Sequence, residues 1–159
     1  ISADNGVFRF VPPAQAGGSW TIETLIEDPT SDAVLMDFDG DGILELGAIA
    51  PFHGEKVRIY KELDGAYQKV YEYNAELPFC HGFYGGEICG KPALIIGHRS
   101  GARDLLAFTW DARAGTYQCQ LLDHDVGPAN LMAYRKDGKD VLISANREID
   151  EIAMYILDA

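Results

Sequence analysis

A chain of 159 residues can form one domain with a sizeable core, and 47% hydrophobic with 24% charged residues is ordinary for a globular fold. The net charge of -12, from 25 acidic against 13 basic residues, argues against a nucleic-acid partner, because phosphate-backbone binding rests on clustered Lys and Arg. No apolar run approaches the roughly 18 residues of a membrane-spanning helix, so no transmembrane segment is expected.

The head of the chain, GVFRFVPP from Gly6 and SWTIETLIED from Ser19, reads as two strands with a turn between them. Three longer stretches then repeat one pattern, starting at Leu35, His81 and Asn130. Each has an apolar strand, a turn with glycine, a second apolar strand, a polar loop and a third strand. The first two add a turn and a fourth strand, YQKVYEY from Tyr67 and YQCQLLD from Tyr117. Trp20, Tyr67 and Tyr117 open the fourth strands at intervals of 47 and 50 residues, while Tyr60, Phe108 and Tyr155 mark the third strands at 48 and 47. Four strands with a period in the upper forties are the signature of propeller blades, which run about 40–50 residues.

With the strands of a unit labelled A to D, the chain reads C–D, A–B–C–D, A–B–C–D, A–B–C. The segments are 1–30, 31–74, 75–124 and 125–159 of a single domain. The expected fold is all-β: four-stranded antiparallel blades, about three of them, belonging to a larger β-propeller. Known propellers use about four or more blades, so the remainder of the ring, or a second copy of the chain, is expected to cover the open blade faces.

The A–B turn of the first full unit is DFDGDG. Asp37, Asp39 and Asp41 alternate as calcium ligands do, and Gly40 and Gly42 permit the left-handed backbone of a tight loop. The carbonyl of Ile43 and the carboxylate of Glu45 complete a candidate oxygen shell. An EF-hand would need a bidentate Glu at the twelfth loop position, which is Ala48, and helices on both sides; neither is present in the pattern. The corresponding turns of the later units, YGGEICG and YRKDGKD, lack alternating acids, so one calcium site is expected, with a structural role. The competing reading is an acidic hairpin turn without metal.

The segment DFDGDGILEL resembles the D-x-D-G-D-G-x-x-[DE]-L signature of the FG-GAP/VCBS repeat family, which includes integrin-type propellers. The phrases GGSWTIETLIED and DVGPANLMAYRKDGKDVLISANREIDEIAMY extend that resemblance over nearly the whole chain. It implies a seven- or eight-bladed ring with calcium in A–B loops. Family members include adhesion modules, sugar-binding domains and some carbohydrate-active lyases and dehydratases. The resemblance also favours an extracellular or cell-surface location, while the odd cysteine count leaves a cytoplasmic one open.

In an up-and-down blade the B–C and D–A connections lie at the end opposite the calcium turn. His53 and His98 fall in B–C loops, and His81 and His124 in D–A connections. Arg99, Arg103, Asn146, Arg147 and Glu148 join them at that end. Of these, His53, His81, His98, Arg99, Arg103 and Arg147 are the candidate ligand-binding residues. His98 with Arg99 is the strongest pair, since imidazole serves as acid, base or ligand and guanidinium grips carboxylates at two points. Arg103 is expected to pair with Asp104, and Glu148 and Asp150 to form a solvated edge.

No P-loop, G-x-S-x-G, H-E-x-x-H or ordered Ser-His-Asp set occurs. Three functions follow: a non-catalytic module binding a glycan or a protein, the propeller part of a carbohydrate-active lyase or dehydratase, or a scaffold. The first is the preferred expectation. The three cysteines match no zinc spacing; Cys80 and Cys89 either form a disulfide, in an exported protein, or remain free thiols.

Overall fold

The computed structural model describes residues 1–51 and 53–158; Phe52, in the first B–C loop, and Ala159 lie outside the described residues. The chain is all-β, with four antiparallel sheets built from consecutive strands. Sheet I comprises β1 (Ser2–Ala3), β2 (Gly6–Val11) and β3 (Thr21–Ile26). Sheet II is a meander of β4 (Asp32–Met36), β5 (Glu45–Ala50), β6 (Lys56–Leu63) and β7 (Ala66–Glu72). Sheet III repeats it with β8 (Cys80–Ile88), β9 (Lys91–His98), β10 (Leu105–Asp111) and β11 (Thr116–Asp123). Sheet IV has β12 (Pro128–Lys136), β13 (Lys139–Asn146) and β14 (Glu151–Leu157). Among the described residues the one helical element is the single 3-10 turn Arg147–Ile149, and no helix is long and apolar enough to cross a membrane.

Turn chemistry sets the hairpins. Asp64-Gly65, Cys89-Gly90 and Asp137-Gly138 all have positive φ at both positions, the backbone that joins antiparallel strands through two residues. The turns of sheets III and IV that correspond to DFDGDG are therefore too short to wrap a cation. The head differs slightly from expectation: ahead of its two strands, Ser2 pairs with Val7 as a two-residue stub of one strand more.

The sheets stack face to face in chain order. Because side chains alternate along a strand, the second strand of an inner sheet serves two cores at once. In β5, Leu46 and Ala48 pack with Val7 and Ile26 of sheet I, while Ile49 packs with Leu94, Ile96, Leu106 and Phe108 of sheet III. In β9, Leu94 and Ile96 face sheet II, and Ala93 and Ile95 face Leu142 of sheet IV. Each such fully buried Leu, Ile or Phe contributes about 1.5–3 kcal/mol by leaving water. The near-continuous apolar runs of β5 and β9 follow from this double burial.

First strands of successive sheets are neighbours: β4 lies beside β8, and β8 beside β12. Glycine makes the approach possible. A Cβ on Gly85 would lie 2.4 Å from Val34 Cγ1, and one on Gly97 would lie 2.3 Å from Pro128 Cβ. The two outer faces of the stack are uncovered. Sheet IV exposes Met132, Ile152, Met154 and Ile156, with Met154 60% exposed. Sheet I exposes Phe10 and Ile22. Cys80, Cys89 and Cys119 are free thiols, and Cys80 is buried.

Candidate functional site

The acid loop runs from Asp37 to the start of β5. Phe38 turns into the core between sheets II and III, which leaves Asp37 and Asp39 to shape the loop. The Asp37 carboxylate accepts N–H bonds from Gly40 at 2.7 Å and Gly42 at 3.0 Å. Asp39 accepts from the Asp41 N–H, and Asp41 from the Ile43 N–H. These are side-chain-to-backbone bonds of the kind by which Asp stabilises turns. Gly40 and Gly42 have φ of 79° and 89°, the left-handed values a side chain would strain.

Glu45 is fully buried. Its Oε2 accepts the Phe38 N–H at 2.7 Å, while Oε1 has no hydrogen-bond donor. The register of β5 with β6 sets Lys61 directly opposite Glu45. The Lys61 ammonium lies 2.5 Å from Asp39 Oδ2, 2.8 Å from Asp41 Oδ2 and 2.8 Å from Glu45 Oε1. The contact with Asp39 is a hydrogen bond, and those with Asp41 and the buried Glu45 Oε1 are close ion pairs. Burial lowers the Lys61 pKa, but the carboxylates of Asp39, Asp41 and Glu45 outweigh it and raise the pKa on balance.

Asp37, Asp39 and Glu45 each offer an oxygen within 4.8 Å of the others, a spacing that can hold a metal ion. Asp41 reaches this group through Lys61, and Ile43 joins by its N–H. One ammonium, that of Lys61, contacts three of the four carboxyl groups Asp37, Asp39, Asp41 and Glu45. A set of hard carboxylate oxygens of this kind could hold a hard cation such as calcium, whose coordination is non-directional.

At the opposite end the B–C and D–A connections form a hydrogen-bonded belt. Leu77 N–H donates to Glu55 O, Cys80 to Gly54 O, Arg99 to Phe79 O, Ser100 to Pro78 O and Val126 to Arg103 O. Phe79 sits among three of the expected ligand residues, His53, His81 and Arg99. Its ring centroid is 5.9 Å from those of His53 and His81, and the Arg99 guanidinium lies 4.7 Å above it. His53, Phe79 and Arg103 all have positive φ, of 55°, 60° and 57°. For the bulky Phe79 and Arg103 that backbone is costly, and such strain collects at functional loops.

Several expected site residues have internal duties. His98 is 2% exposed, its Nδ1–H donates to Ser100 O at 2.8 Å, and its Nε2 accepts the Asp104 N–H at 3.0 Å. It pins the 99–104 loop, with neither nitrogen left for a ligand. Arg99 donates through Nε and Nη2 to Glu148 Oε1, at 2.9 and 2.7 Å, so Glu148 is an ion-pair partner rather than a solvated edge. Arg103 pairs with Asp125 instead of Asp104. Asn146 is buried and bonds Ser144 and Glu151, and Arg147 and His124 are exposed at the same end. His81 is exposed, with Nδ1 bonded to Ala129 O.

Two residues that matter most were not among the expected ones. Lys61 is legible only once the β5–β6 register is known. Phe79 carried no signal beyond its place in a D–A connection. A cavity of about 380 Å³ lies between sheets I and II, and one of about 360 Å³ between sheets III and IV, lined in part by Ile88, Ile95, Leu122 and Ile156. No protein-family model matches the chain, and no curated protein matches it in sequence.

Proposed function

We propose that the four sheets are consecutive blades of a β-propeller clipped by calcium, and that the module binds a ligand rather than transforming one. Support for the propeller comes from the up-and-down order in each sheet, the face-to-face stacking, and the adjacency of β4, β8 and β12, which are the strands nearest the axis of such a ring. Asp37, Asp39 and Glu45 would hold the calcium, which would brace the loop between β4 and β5.

The observation that carries the binding reading is the grouping of Phe79 with exposed His53 and His81 at the end opposite the acid loop. An aromatic face flanked by imidazoles is the chemistry that stacks on and hydrogen-bonds a sugar ring. The lyase alternative has less support: His98, the natural proton acceptor, has both nitrogens engaged, and Arg99 and Arg103 are neutralised by Glu148 and Asp125. Calorimetric titration with neutral and uronate oligosaccharides tests the proposal. Binding that weakens at least about tenfold in Phe79→Ala and His81→Ala, with no unsaturated product, supports it. Binding by none of the sugars, or binding indifferent to both variants, ends it.

A second reading is favoured by the exposed rows of Met132, Ile152, Met154 and Ile156 on sheet IV. A contiguous apolar face of this kind suits burial against a further blade or a second copy. Sedimentation of the chain should then show concentration-dependent association that Met154→Asp abolishes; a monomer at every concentration would leave a further blade as the occupant.

A further inference from the structure

We propose that Lys61 is the resident cation of the acid loop and competes with calcium for it. The inference rests on the calcium reading above and adds a residue that the D-x-D-G-D-G pattern does not contain.

The Lys61 ammonium stands between Asp39, Asp41 and Glu45 at 2.5–2.8 Å, where a cation bound by these carboxylates would sit. It brings its charge on a flexible stem anchored in β6, so the loop carries its own counter-ion. The compensation is incomplete. Lys61 hydrogen-bonds Asp39 but meets the buried Glu45 Oε1 only as an ion pair at 2.8 Å, and one ammonium faces three carboxylates. A divalent ion, with no angular demand, satisfies that oxygen better than an ammonium does. Two occupants therefore suit one place, and like charges forbid both at close range.

The ammonium also has somewhere to go. A cavity of about 280 Å³ adjoins the loop, lined by Asp39, Lys61, Leu63, Val70, Trp110 and Tyr117. The lysine stem can pack along Leu63 and Val70 there, and its head group can meet the aromatic rings. Calcium entry then moves Lys61 from the loop into this cavity, and the lysine lowers the wild-type affinity for calcium.

The first test uses the wild-type chain. Lys61 should resist acetylation by an activated ester, relative to exposed Lys69, when calcium is chelated, and should gain at least about fivefold in labelling when calcium saturates the site. Labelling of Lys61 that saturating calcium leaves unchanged overturns the exchange. The second compares calcium binding by wild type and Lys61→Met in calorimetry. Binding about tenfold or more tighter in Lys61→Met supports competition. Equal affinity overturns competition while leaving the calcium site standing; binding in neither protein overturns both. Should Lys61→Met fail to fold, the wild-type labelling decides alone.

Discussion

The Tyr155 hydroxyl donates a 2.8 Å hydrogen bond to the Asp123 carboxylate, and so ties the third strand of sheet IV to the fourth strand of sheet III. Tyr60 does the same to Asp28 at 2.7 Å, between sheets II and I, across the same separation of 32 residues. Sheet III has Phe108 at the equivalent place, without a hydroxyl, buried between sheets II and III. The repeat is thus structural as well as sequential: one sheet-to-sheet bond recurs, and the innermost position substitutes apolar packing for it.

Burial, with the neighbouring carboxylate adding to it, pushes the Tyr60 and Tyr155 phenols up to about 12, so both remain donors throughout the physiological range. Tyr60→Phe and Tyr155→Phe are each expected to lower stability by about 1 kcal/mol in urea denaturation. Losses near zero in both would show that the bonds are exchanged for water without cost.

Gly97 lies close against Pro128, between sheets III and IV. Gly97→Ala places a methyl 2.3 Å from Pro128 Cβ, backed by the Pro128 ring and carbonyl, none of which is the far end of a flexible side chain. Overpacking of this kind costs about 1–3 kcal/mol. The expected thermal midpoint is lowered, with the loss of protection from hydrogen exchange centred on β9 and β12.

His98 is expected to behave as a structural residue. His98→Ala removes a donor to Ser100 O, orphans the Asp104 N–H and opens a hole beside a buried strand end. A loss of about 2–4 kcal/mol follows from the combined cavity and hydrogen-bond terms. Chemical denaturation measures it; a stability change under half a kcal/mol, with sugar binding lost, would restore His98 as a ligand residue.

Cys80 is expected to be chemically inert in the native state. Burial foremost, with the nearby Glu55 charge second, pushes its thiol up to about 12, and its Sγ lies 3.2 Å from Leu77 O. The sign of the pH effect follows from linkage. The unfolded thiol ionises near 9 and the folded one near 12, so the unfolded state holds fewer protons in between, and stability falls as pH rises through that window. Thiol titration with an aromatic disulfide at pH 8 should leave Cys80 unmodified until denaturant is added; native labelling of Cys80 would contradict its burial.

Strand order and the division of loops between two ends were legible without coordinates, because both follow from local chemistry. Two-fold alternation marks strands, glycine with Asp or Cys marks the two-residue turns, and consecutive antiparallel strands necessarily send alternate connections to opposite ends. The acid loop was legible for the same reason, since Asp37, Asp39 and Asp41 bond the backbone within a few residues of themselves. What occupies that loop was not. Lys61 reaches it from the next strand through the β5–β6 register, which depends on side chains packing on both faces of sheet II. The histidines and arginines show the same division. Their end of the molecule could be assigned by counting strands, but burial of His98 and the pairing of Arg99 with Glu148, 49 residues away, depend on how sheets III and IV stack. Short-range hydrogen bonding and periodicity are written in neighbouring residues, whereas which charge meets which carboxylate is settled only when distant strands are brought together.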